Sequence, residues 1–70
     1  MNAQAAKALI LKVNTMNWED VNDLAAELGL NQDKRDRYNR QVGKRNPAKL
    51  LNWYRMEVQS LIVALSYNED

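Results

Sequence analysis

The sequence holds no cysteine and no histidine. Without cysteine there is no disulfide to close a loop and no thiolate to bind a metal or attack a substrate. Without histidine the commonest general base and the commonest metal ligand are missing together. Glycine occurs twice, as Gly29 and Gly43, each where a helix would stop, so there is no glycine-rich loop to cradle a phosphate. The longest apolar run, residues 61–65, is far shorter than the ~20 residues a bilayer span needs. The first residues lack the basic-then-apolar order of a secretion signal, their alanines alternating with polar residues. The chain is therefore expected to be a soluble cytoplasmic protein, or an excised piece of one. No enzyme activity is expected of it, and no cofactor, metal, membrane or small-molecule substrate. Asp20 and Asp23 have the chemistry for acid–base or metal work. Near a helix start, however, such acids are first of all favourable surface charges.

What is present is helical pattern. Seventy residues make one domain, which buries roughly 60% of its unfolded surface. Residues 18–30 are the clearest element: Trp18, Val21, Leu24, Ala25 and Leu28 form one apolar stripe, and Glu19, Asp20, Asp23 and Glu27 make another face acidic. Asn17 can cap its start, Gly29 supplies the left-handed stop, and Leu30 follows as a hydrophobic stop contact. Before it, residues 2–14 read as an alanine- and leucine-rich helix with Ala6, Leu9, Ile10 and Val13 on one side. After it, Asn31 caps a nearly all-polar helix over 32–42, anchored by Tyr38 and Val42. Asn46 followed by Pro47 starts the last segment. There Leu50, Leu51, Tyr54, Val58, Leu61, Ile62 and Leu65 keep a three–four spacing. No glycine or proline says whether 47–66 is one helix or two, and residues 68–70 are expected to fray. The expected architecture is an all-α compact bundle of four to five helices.

Charge is segregated although the net charge is only +1. Residues 18–30 carry four acids and no base. Residues 34–49 carry seven bases, Lys34, Arg35, Arg37, Arg40, Lys44, Arg45 and Lys49, against the single acid Asp36. Three readings compete. Both stretches are ordinary solvated faces; or the basic stretch grips nucleic-acid phosphate, with Tyr38 stacking on a base; or the patches are complementary and join one molecule to the next. Among the aromatic residues and methionines, Trp18 is expected in the core or at a hinge, Tyr38 as the tether of the third helix, and Met56 as core filler. Trp53 lies off the centre of the last stripe and is expected to be partly exposed, as an interface anchor.

Two resemblances bear on these readings. Leu24-Ala25-Ala26-Glu27-Leu28-Gly29-Leu30 resembles the first helix and turn of a helix-turn-helix, which implies a small phage- or plasmid-type DNA binder. That motif wants an apolar residue about six positions after the glycine, where this chain has Arg35. The second resemblance covers about residues 9–66. Trp18, Leu24-Ala25, Leu28-Gly29-Leu30, a polar third helix, Leu50-Leu51 with Trp53, then Leu61-Ile62 and Ala64-Leu65 are similar to the death-fold superfamily, and closest to the short bacterial death-like modules called effector-associated domains. It implies a protein–protein adaptor whose partner is another copy or a related death-like domain, clustering or recruiting an effector, often in antiphage defence.

Overall fold

A computed structural model describes residues 1–44 and 46–67; Arg45 and residues 68–70, including the expected fraying, lie outside it. The described residues form four helices: α1 (Ala3–Val13), α2 (Trp18–Glu27), α3 (Gln32–Gln41) and α4 (Pro47–Tyr67). No strand is found among them, so the fold is an all-helical bundle. The last segment is a single helix of 21 residues with no break, which settles the one point the spacing left open.

Every helix begins on an asparagine. Asn2, Asn17 and Asn31 accept from the N–H of Ala5, Asp20 and Asp33 at 2.7, 2.9 and 2.8 Å. Asn46 accepts from Ala48 and Lys49 at 3.0 and 3.2 Å. Each bond satisfies an amide that has no partner inside its own helix. α2 stops in a Schellman turn: Gly29 takes φ 85°, Leu30 N–H donates to the Ala25 carbonyl at 2.9 Å, and Gly29 N–H to that of Ala26 at 3.1 Å. Leu30 is buried as the stop contact. Gly43, at φ 86°, follows α3.

The core is small: Ala6 and Val13 from α1, Val21 and Ala25 from α2, Leu30 from the turn, and Tyr54, Val58 and Ile62 from α4. α4 is the central element, since each other helix packs against it. Its buried residues Leu50, Tyr54, Val58 and Ile62 step by four along one line, while Leu51, Leu61 and Leu65 are only partly buried beside it. Two side chains of α4 tie down the α1–α2 connection. The Arg55 guanidinium donates to the Met16 carbonyl. Gln59 Nε2 donates to the Ile10 carbonyl at 3.0 Å and to Asn14 Oδ1 at 2.8 Å. The Cα frame measures 41 × 23 × 14 Å. Its thin dimension matches two helix layers about 9 Å apart, so every helix keeps an outward face.

Three expectations are corrected. Met56 is not core filler: it is more than half exposed, because it projects from the side of α4 away from the other helices. Val42 is not a second anchor of the third helix, since the backbone leaves the helix at Val42 (φ −58°, ψ 128°) and carries the side chain off the Tyr38 face. Nor is Tyr38 the sole tether of α3. Arg35 Nε donates to the Leu30 carbonyl at 3.0 Å, and Asn39 bonds to α2.

Candidate functional site

The acidic stretch of α2 becomes the wall of a groove. Asp20, Asp23 and Glu27 stand at i, i+3 and i+7, so one face of α2 carries all three. That face lines an open groove of about 500 Å³ between α1 and α2, together with Leu9, Leu24 and Met16 and with Lys12 and Thr15 at its α1 side. The three carboxylate residues are exposed and the three apolar residues half-buried, so the groove has one anionic wall on α2 and a greasy floor, with the cation Lys12 on its α1 side. Glu19, the fourth predicted acid, is exposed on α2 but does not line it. Asn17 caps the first turn of α2, and Asp20 in that turn lines the groove with Thr15 and Met16 of the α1–α2 connection. Among the described residues no cluster of His, Cys, Asp or Glu could hold a metal ion.

The predicted basic patch divides. Arg35 turns inward, its guanidinium held on the Leu30 carbonyl, and is half-buried. This accounts for a charged residue at the position where a helix-turn-helix would need an apolar one: the stem packs and the head caps the turn. Lys34 pairs with Glu57 of α4 at 3.2 Å. Arg37, Arg40, Lys44 and Lys49 are exposed. Arg37 and Arg40 are one helical turn apart, the same step as Asp20 and Asp23, so the two patches match in pitch. Arg45 lies outside the described residues.

Trp53 is exposed as expected, and the structure places it beside the basic face. It lines an open cleft of about 250 Å³ with Arg37, Tyr38, Gln41 and Leu50. Tyr38 itself is committed inward: its ring stacks on Tyr54 with centroids 4.4 Å apart and planes 4° from parallel. Trp18 meets the same ring edge-on at 4.9 Å, which bears out its expected place at the core. Tyr54, fully buried, donates its hydroxyl to Asn22 Oδ1 at 2.7 Å. Asn39 donates to the same oxygen at 3.1 Å and accepts from Trp18 Nε1 at 2.9 Å. Burial raises the Tyr54 phenol above its ordinary value, with Arg35 opposing and Tyr38 adding to the shift. For Tyr38 burial is again the first cause, then the Glu57 carboxylate, with Arg37 opposing. These residues join α2, α3 and α4, and sequence reasoning missed Asn22 and Asn39 entirely. It also missed that the apolar outer side of α4 continues past Trp53 and Met56 to Val63 and Tyr67.

Comparison with protein-family models, with curated proteins and with solved structures finds no significant match for this chain. Among the described residues no helix is long and apolar enough to cross a membrane.

Proposed function

We propose that the chain is a non-catalytic protein-interaction module in which the acidic α1–α2 groove of one copy receives the basic α3 face of another. The observation that carries this reading is the groove itself, with Asp20, Asp23 and Glu27 along one wall and Leu9, Met16 and Leu24 in its floor. Such a site suits a cationic face: charges steer and orient it, and the alkyl stems of its arginines lie on the apolar floor. Arg37 and Arg40 offer two cations at the matching pitch on a different helix, so the contact is heterologous and repeats from copy to copy. The resemblance to death-like and effector-associated domains adds the cellular role, homotypic clustering that recruits an effector, with bacterial antiphage defence as its setting. Nucleic-acid binding is the weaker reading, because the tyrosine it needed for base stacking is already stacked on Tyr54.

The test is mass by light scattering against protein and salt concentration. Association should grow beyond two copies at low salt and shrink at high salt, as contacts between exposed charges do. Asp20→Asn with Asp23→Asn should abolish growth, and so should Arg37→Gln with Arg40→Gln. Each variant keeps one good patch, so mixing the two should restore a salt-sensitive contact between unlike variants that neither variant makes alone. A chain that stays monomeric at low salt, or grows unchanged with either variant, refutes the reading. So does a mobility shift of duplex DNA at micromolar protein without self-association.

A further inference from the structure

Whereas the proposed contact runs through charge, α4 carries a second surface of another kind. Trp53, Met56, Val63 and Tyr67 are 44, 55, 39 and 82% exposed. With Ser60 they fall at steps of three, four, three and four, the spacing of a two-helix seam. The core residues Tyr54, Val58 and Ile62 occupy the opposite side of the helix, so α4 is apolar on both faces and the fold uses one of them. The seam runs about 21 Å along the helix. Its five positions carry no charge, and Glu57, which borders Trp53, Met56 and Ser60, is paired with Lys34 at 3.2 Å.

We infer that this face pairs with the same face of a second copy, α4 against α4, antiparallel. Direction follows from charge and from size. α4 has a base, Lys49, in its first turn and none in its last. The base thus sits at the positive end of the helix dipole, where it is unfavourable. An antiparallel partner brings Lys49 of each copy to the C-terminal end of the other and relieves both; a parallel partner doubles the conflict. In the antiparallel register that sets Lys49 across from Tyr67, Trp53 lies across from Val63 and Met56 from Ser60, a large side chain beside a smaller one in each inner layer. The parallel alternative sets Trp53 on Trp53 and leaves a gap at Ser60.

The four exposed side chains present on the order of 450 Å² per copy, which with the flanking residues brings a pair to about 1,200 Å², the lower bound of a specific interface. The dimer is therefore weak, saturates at two copies and tolerates salt. It is independent of the head-to-tail contact, which salt weakens and which does not stop at two.

Sedimentation equilibrium in high salt, where the charged contact is suppressed, should show a monomer–dimer equilibrium. Val63→Glu should weaken it more than a hundredfold and Trp53→Ala at least tenfold, both with unchanged helicity because neither side chain is in the core. Since the chain has no cysteine, single-cysteine variants read direction cleanly. A mixture of Met56→Cys and Ser60→Cys should form the mixed disulfide in preference to either homodimer. A monomer at millimolar concentration overturns the inference, as does a dimer indifferent to Val63→Glu or homodimer disulfides in excess of the mixed one. Loss of salt-sensitive growth with this dimer intact would refute the charged contact alone.

Discussion

Replacing Tyr38 with alanine tests how a helix with no fully buried residue stays folded. α3 is ten residues long, too short to be stable by itself in water. Its principal apolar contact is the Tyr38 ring on Tyr54. Roughly 100 Å² of half-buried ring at about 25 cal/mol per Å² gives ~2.5 kcal/mol, and the stacking geometry adds about 0.5 kcal/mol. The loss of ~3 kcal/mol compares with a total stability of about 4–10 kcal/mol for 70 residues. The remaining ties of α3, the Arg35 bond to Leu30, the Asn39 bonds and the Lys34–Glu57 pair, are part- or fully solvent-exposed, and each contributes ~1 kcal/mol or less.

The expected result in Tyr38→Ala is therefore local. Native-state hydrogen exchange at α3 amides should speed up by as much as a hundredfold, the equivalent of ~2.8 kcal/mol. α1 and the second half of α4, which share the Ala6–Val13–Ile62 core, should change much less. Tyr38→Phe retains the stack and should leave α3 protected. Equal acceleration across α1 and α3 would show that the ring supports the whole bundle rather than tethering one helix. Undiminished protection of α3 would show that the polar bonds suffice. Either result refutes the reasoning.

Two further outcomes follow from single features. Both tyrosine phenols are held above the usual value by burial, so above pH ~10 the unfolded chain releases protons that the folded chain retains. Stability should be indifferent to these groups below pH ~10 and fall as pH rises from there through the folded values. Urea midpoints at pH 9, 10 and 11 should show this fall, reduced in Tyr54→Phe; a wild-type midpoint as flat as the variant's contradicts it. Gly29 has φ 85° and no neighbour within 4 Å of a built Cβ. Gly29→Ala should thus cost about 1 kcal/mol from backbone strain alone, read as a lower urea midpoint, and Gly29→Asn less. An unchanged midpoint for alanine would mean the turn relaxes out of the left-handed conformation.

The parts of the fold that were legible are the local ones. Asn17, Asn31 and Asn46 each cap through an N–H two or three residues on, so sequence spacing displays the interaction directly. The inner stripe of α4 was legible for the same reason, although its continuity was not: one helix and two would keep the same three–four rhythm. The tethering of α3 was hidden because it depends on distance along the chain. Asn39 bonds residues 17 and 21 positions away, and Arg35 reads as one more base until its carbonyl partner is seen. The acidic face of α2 could be read; the groove could not, since its floor comes partly from Leu9 on another helix. The outer seam of α4 was written in the sequence at heptad steps, but Ser60 interrupts it and the richer inner stripe overshadows it.

The two proposed contacts have different symmetry, and that difference sets what they can do together. A contact between exposed charges such as Asp20, Asp23, Arg37 and Arg40 contributes about 1 kcal/mol or less per pair, which is weak for a single copy. An antiparallel α4 pair is two-fold symmetric, so it carries two acidic grooves and two basic faces. When two such pairs meet, the second groove engages at the effective concentration set by the first, with avidity gains of ~10²–10⁴ where the geometry permits. Weak, salt-sensitive patches thereby become a switch in protein concentration: little assembly below the dimerisation midpoint and steep growth above it. The seam on α4 sets the threshold and the acidic groove sets the connectivity, so removing Trp53 should shift the onset of clustering, whereas neutralising Asp20 and Asp23 should remove clustering and leave the pair.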